Sequence, residues 1–347
     1  MSEPAAGQST WNLLGHEWAV EMLRQQIAQH ATRHAYLFTG PPGVGRRTLA
    51  LRFAQALNCM QPPAPGDFCG KCRNCQQIAR LQQPDLLIVV RDPDAKLPWM
   101  DPMRQALHEL ALRPYQSEYK VALFPGFQDA TDSAANALLK TLEEAPSYAI
   151  LILTADNAEQ LLPTIVSRCE VLRLRPLPVE KVEAFIEERL AQRAAQGEET
   201  PPGAEAGARL IAHISGGRPG YAVRLLDDPA ALAFRSEKLN DLQTLLSSSR
   251  VRKFSYAEKL AVDKDGLRNA LLLWLSFWRD VLLRAGGAAV PPANIDRAQE
   301  IESLAGRIPL AEARRLVSDL ERALQRLDAN VNTRLLAETL LLDWPKG

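Results

Sequence analysis

A chain of 347 residues is too long for one ordinary hydrophobic core, so two or three domains are expected. With 46% hydrophobic and 24% charged residues, the composition is that of a soluble globular protein. Basic and acidic side chains balance at 41 each, which excludes a net basic field for nucleic acid while leaving room for a local patch. Met1 to Thr10 lack the charged-then-apolar order of a signal peptide. The longest apolar run, Ala270 to Trp278, is too short to span a bilayer. A cytoplasmic protein with no membrane contact is expected.

In chain order, His16 to Arg33 has helical spacing, with Ala19, Leu23, Ile27 and Ala31 on one face. "AYLFTG" (35–40) is a short apolar strand ending in glycine, and Arg46 to Leu57 is helical through Leu49, Phe53, Ala56 and Leu57. Further strands are expected at 85–90, 120–124, 148–154 and 170–174, separated mostly by helices at 100–112 and 133–144. Near-continuous apolar strands alternating with helices imply a parallel sheet covered on both faces, an α/β domain over residues 1–176. Residues 177–228 read as a small helical domain interrupted by "GEETPPGAEAG" (197–207), a Pro/Gly/Glu-rich break expected to be a mobile loop. Residues 229–347 are almost entirely helical by periodicity, apart from a loop at 284–294.

Between the first strand and its helix lies "GPPGVGRRT" (40–48), close to the phosphate-loop pattern G-x-x-x-x-G-K-[ST] in the one context where that match carries weight. Gly40 and Gly45 fit, with Gly43 between them. Arg46 stands where the lysine belongs, and its planar fork is no substitute for a compact ammonium. Arg47 stands where a hydroxyl would hold Mg²⁺ and cannot ligate a cation. Thr48 comes one residue late, which is about 100° around a helix.

Four of the five cysteines, Cys59, Cys69, Cys72 and Cys75, fall within seventeen residues. In a reducing compartment such clustering points to metal rather than disulfides. Tight turns bring thiols at this spacing to the four corners of a tetrahedral Zn²⁺ site, and Gly70 helps such a turn. Free surface thiols or an iron–sulfur cluster are the alternatives. A structural zinc knuckle over 59–75 is the preferred reading. Cys169 stands apart and reads as a small buried hydrophobe.

The phosphate loop, the C-x9-C-x2-C-x2-C knuckle, "NALLKTLEEAP" (136–146) and "SRC" (167–169) together resemble bacterial DNA polymerase III clamp-loader subunits of the AAA+ superfamily. The resemblance covers about the first 230 residues, and "NVNTRLLAETLLL" near the C-terminus is similar to the last helix of the family's collar. It implies an AAA+ phosphate-loop sheet domain (1–176) with an inserted knuckle, a helical lid (177–228) and a helical collar that oligomerises (229–347).

Within that family, ATP-hydrolysing gamma/tau motors and a non-hydrolysing member differ at four places. The phosphate loop is degenerate here, so nucleotide binding through Gly40, Gly43, Gly45, Arg46, Arg47 and Thr48 is doubtful. Motors end the strand "KVALF" with Asp-Glu; Pro125 and Gly126 occupy those positions, and Asp129 and Asp132 downstream read as a solvated turn and a helix N-cap. The motors' phosphate-sensing arginine aligns with Gly220, with Arg218 close by but ahead of Pro219. The fourth place, Ser167-Arg168-Cys169, is intact, and in the family its arginine reaches the γ-phosphate bound by a neighbouring subunit. Taken alone, Arg168 reads as an ordinary ion-pair residue at a strand start.

The resemblance therefore implies a subunit without ATPase activity of its own. Its partners would be gamma/tau motors and a delta subunit, and through the assembly a sliding clamp and primer-template DNA. Two other readings compete with it: a working ATPase with a variant loop, and a zinc-knuckle nucleic-acid binder using Lys71 and Arg73.

Overall fold

The structure is a computed structural model that describes residues 10–92, 97–328 and 331–345. Residues 1–9, on which the expectation about a signal peptide mainly bears, lie outside it. The chain divides into two compact units, Met1–Leu177 with Arg218–Gly220, and Pro178–Gly217 with Tyr221–Gly347.

The first unit is built on five parallel strands in the order β2-β3-β4-β1-β5. In chain order its elements are α1 (Glu17–Ala28), β1 (Ala35–Thr39), α2 (Arg46–Leu57), α3 (Arg73–Ala79), β2 (Leu86–Ile88) and α4 (Met100–Ala111). They continue with β3 (Lys120–Phe124), α5 (Asp132–Glu143), β4 (Ala149–Ala155), α6 (Pro163–Val166) and β5 (Glu170–Arg173). Every residue of β1, β3 and β4 is buried. Because successive side chains point to opposite faces, the strands feed two cores. Tyr36, Phe38, Val121, Leu123, Ile150 and Ile152 join the residues of α1 and α2 on one face. Leu37, Ala122, Phe124, Leu151 and Leu153 meet those of α4 and α5 on the other. The doubly covered parallel sheet expected from the apolar runs is present.

Several boundaries differ from expectation for local reasons. Helix α1 stops at Ala28, not Arg33, because His30 adopts left-handed backbone (φ 51°) and the Ala31 N–H turns back to the Gln26 carbonyl at 2.9 Å. Strand β2 covers only three of its expected six residues. Asp85, read as its first residue, serves another purpose. Its carboxylate is 1% exposed and accepts the backbone N–H groups of Tyr115, Gln116 and Ser117 at 2.6, 2.9 and 3.0 Å.

Burial alone would raise the Asp85 carboxyl, but the N–H donors outweigh it and hold the group below the usual carboxylate range. The folded acid is therefore stronger than the unfolded one. Its contribution is present above the unfolded value of about 3.9 and is lost as pH falls through the folded value. Asp85→Asn leaves one amide oxygen for three donors and should cost about 3 kcal/mol in urea unfolding at pH 7. The gap to wild type should close on acidification. An equal gap at pH 7 and pH 3 would show that the charge contributes nothing.

The second unit is helical: α7 (Val179–Ala195), α8 (Ala208–Ser215), α9 (Pro219–Asp227, whose Pro219 and Gly220 group with the first unit), α10 (Pro229–Leu246), α11 (Arg250–Leu260), α12 (Lys264–Ala285), α13 (Ala298–Ala305), α14 (Leu310–Asp328) and α15 (Thr333–Leu342). Helix α12 forms its axis, burying Trp274, Phe277 and Trp278 against residues of α10, α13, α14 and α15. No helix among the described residues is long and apolar enough to cross a membrane. The break at 197–207 is not uniformly loose: Pro202–Ala206 form a 3-10 turn, with Gly203 so close to Leu225 and Leu226 that a Cβ would lie 2.5 Å from the Leu225 carbonyl oxygen. The loop at 284–294 starts later than expected, after α12 ends at Ala285. It closes where the Asp280 carboxylate accepts the N–H groups of Ala293 and Asn294.

Candidate functional site

The loop between β1 and α2 keeps the phosphate-loop turn by means of its glycines. Gly40, Gly43 and Gly45 have φ of 144°, 84° and 116°, in the region that L side chains rarely enter. At Gly40 even a methyl group is excluded, since a Cβ would stand 2.3 Å from the Leu174 carbonyl oxygen. Two outside donors fasten the loop's carbonyls. Buried His16 donates through Nε2 to Val44 (3.2 Å), and Gly220, which groups with this unit, donates its N–H to Gly43 (2.8 Å). Burial lowers the His16 pKa, which keeps the ring neutral and suited to that single donation.

Arg46 opens α2, where the pattern has lysine, and one end of its guanidinium is already paired, while Nη1 is buried without a hydrogen-bond partner among the described residues. Its guanidinium pairs with the Asp156 carboxylate at 2.8 Å, with the arginine side chain 12% exposed. Asp156 is the first residue after β4. Since β4 lies beside β1, with Thr39 opposite Ala155, its backbone carbonyl also accepts the Gly40 N–H at 3.2 Å. Any phosphate approaching Arg46 must compete with an anion already seated on it. Arg47 and Thr48 are exposed on the first turn of α2.

Two further places singled out in the sequence are Pro125–Gly126 and Gly220. Gly126 is left-handed (φ 62°), and its N–H donates to Thr154 Oγ1 at 3.0 Å. Asp129 ends a 3-10 turn, and the cap of α5 is Thr131, whose hydroxyl accepts the Ala134 N–H; Asp132, expected as that cap, is the first helical residue. At Gly220 a Cβ would lie 3.0 Å from the Gly43 carbonyl oxygen, so a longer side chain there would begin against the loop.

Ser167 and Arg168 follow α6, a single helical turn. The Arg168 Nη2 donates to Glu143 Oε1 at 2.6 Å, and Nη1 donates to the Thr164 carbonyl at 2.9 Å and lies 3.4 Å from Ser167 Oγ. Arg168 is 36% exposed and Glu143 51%, so the pair sits at the surface of the isolated chain. Cys169 is half-buried, and burial pushes its thiol up to about 12, as suits an inert packing residue.

The four clustered cysteines come together as the spacing implied. The sulfurs of Cys59, Cys69, Cys72 and Cys75 all lie within 4.8 Å of one another, a donor set able to hold a metal ion. The backbone is arranged around them: the Cys69 N–H points to the Cys59 sulfur and the Cys72 N–H to the Cys69 sulfur, each at 3.2 Å. Gly70 supplies a left-handed turn (φ 68°), and Cys72 sits at the N-cap position of α3, a helix that sequence periodicity did not suggest. At Cys69, burial is outweighed by N–H donors from Cys72 and Lys71 and the thiol falls to about 7, whereas burial raises Cys59 and Cys75.

The family model described as "DNA polymerase III, delta subunit" matches residues 15–178, and "DNA polymerase III, delta subunit, C terminal" matches residues 229–346. The chain belongs to the DNA polymerase III clamp-loader family. It is similar to the DNA polymerase III subunit delta' of Pseudomonas aeruginosa, 37% identical over 49% of this chain and 48% of the relative. It is also similar to subunit tau/gamma of Haemophilus influenzae, 30% identical over 52% of this chain and 26% of the relative. Subunit tau of Bacillus subtilis is 29% identical over 72% and 42%. The matches thus span less than half the length of each of these clamp-loader relatives.

For a clamp-loader subunit, two residues of interest escape motif reading. Asp156 and Glu143 are partners of Arg46 and Arg168, each separated from its arginine by a long stretch of chain. A carboxylate just past the end of a central strand, beside the strand that feeds the loop, was the available signal for Asp156. Glu143 lies inside the quoted "NALLKTLEEAP" but carried no assigned role.

Proposed function

We propose that this chain is the non-hydrolysing, delta-prime-type subunit of a DNA polymerase III clamp loader, and that Arg168 completes the ATP site of a neighbouring gamma/tau motor. The observation that carries this reading is the contrast between its two arginines. Arg46, at the start of α2, is tied to Asp156, and Pro125 and Gly126, which follow β3, offer no carboxylate for Mg²⁺ or water. Arg168 is presented at the surface, next to Ser167. In this reading a guanidinium supplied in trans stabilises charge on the phosphoryl group leaving the neighbour's ATP.

The remaining parts follow the same reading. Helices α7–α9 act as the lid and α10–α15 as the collar that joins the subunits, with a delta subunit completing the assembly in the cytoplasm. The assembly as a whole would load a sliding clamp onto primer-template DNA. Cys59, Cys69, Cys72 and Cys75 hold one structural Zn²⁺, which would tie α3 to the end of α2. All four ligands come from protein, so no position remains for a reacting water.

The purified chain alone is expected to show no ATP turnover above background, and turnover should appear only when motor subunits are added. Tau and gamma relatives near 30% identity support a second reading, a motor with a variant loop. Hydrolysis by the isolated chain, abolished by Arg46→Ala, would establish that reading instead.

A further inference from the structure

We infer that Glu143 is a positioning residue for Arg168: it holds the guanidinium in one orientation before the neighbouring ATP site forms around it. This rests on Arg168 acting in trans as proposed above. The geometry is specific. Glu143 is the last residue of α5, and its Oε1 takes one Nη2–H of Arg168 at 2.6 Å, while the Thr164 carbonyl takes an Nη1–H at 2.9 Å. The two acceptors sit on different elements, α5 and α6, and grip the two ends of the planar fork. A guanidinium has five N–H donors. Among the described residues Nε–H and the second Nη2–H stay uncommitted, so the grip orients the group without consuming it.

Physical chemistry gives the pair a reason other than stability. An ion pair with both side chains this exposed contributes little to folding. A free arginine at the surface samples many rotamers, and those it must abandon on reaching a phosphate reduce the rate it can support. Ordering it in advance moves that cost out of the chemical step. The C-terminus of α5 also favours a cation near it. A carboxylate beside the finger could instead oppose it by neutralising its charge. The two roles have opposite signs, which makes the inference testable.

The test uses the full chain assembled with its motor and delta-type subunits, with clamp and primed DNA present, and reads the single-turnover phase of the site served by Arg168 together with KM for ATP. Glu143→Ala should lower turnover at the site served by Arg168 about tenfold while leaving KM within about twofold and the melting temperature unchanged. Glu143→Gln keeps an oxygen to accept the same N–H and should restore most of the rate. In an Arg168→Ala background, Glu143→Ala should add nothing further, because a positioning residue has no effect once its target is gone.

Turnover by Glu143→Ala at or above the wild-type rate, in an assembly that Arg168→Ala slows, would overturn the inference. So would an equal slowing in the Arg168→Ala background, since that marks a role in packing or assembly. If Arg168→Ala itself left turnover unchanged, the trans role of Arg168 would fail, and the positioning role with it.

Discussion

Arg168→Ala should remove about 10³-fold of the hydrolysis rate at the ATP site it serves, at the low end of what fingers supplied in trans contribute to phosphoryl transfer. In the proposed assembly the remaining motor sites would keep their own fingers, so the steady-state rate would be a blunt measure. A single-turnover experiment is sharper: the phase belonging to the dependent site should vanish from the burst while the others keep their amplitudes. Assembly should be close to wild type by gel filtration, because Arg168 is 36% exposed and its hydrogen bonds run to Thr164, Ser167 and Glu143 of its own chain. Arg168→Lys should recover little, since an ammonium cannot reproduce the planar fork. A full burst with Arg168→Ala would assign the finger elsewhere.

Removing the proposed zinc should have the largest effect on stability. Elemental analysis should find one zinc per chain, with no visible absorption from iron–sulfur chemistry. Isolated zinc modules owe about 10–16 kcal/mol of apparent binding energy to the metal at neutral pH. Here the knuckle is one corner of a larger core, with Cys75 fully buried among the residues of α1 and α2, so part of that structure has other support. A loss of about 4 kcal/mol is a reasonable share, which for a domain of this size lowers the melting temperature by roughly 10 °C. A strong chelator and Cys72→Ser should each produce it, and zinc should reverse only the first. An unchanged melting curve in a chelated, zinc-free chain would show that the four thiols pack without needing a metal.

The sheet was legible because buried parallel strands are written as apolar runs. Strands β1 and β3 fall where "AYLFT" and "KVALF" stand, and β4 needed a shift of only one residue. Edge strand β5 was legible to within one residue, whereas the extent of β2 and the short helix α3 were not. Helix α3 is seven residues long with no room for an amphipathic repeat, and it starts at the knuckle, just after Cys72, which sits at the N-cap position without a side-chain cap bond. Strand β2 begins after Asp85, whose carbonyl still accepts the Val121 N–H at 2.8 Å while its carboxylate accepts three backbone amides, a side-chain role that an apolar-run reading does not show. Asp132 looked like the cap of α5, but the hydroxyl one residue earlier reached the free amide first.

Residue identity by itself determined which groups the chain offers at each place. Arginine at 46 and 47, Pro125 and Gly126 after β3, and four thiols at short spacing are all facts of chemistry at fixed positions. They needed no coordinates because each concerns what a side chain can donate, accept or ligate. The tertiary structure decided what the two arginines do. Arg46 meets Asp156 because a crossover places β4 beside β1, and Arg168 meets Glu143 because α5 and α6 end near each other. A guanidinium is an attractive group for any anion within reach, and only the fold determines which carboxylate reaches it.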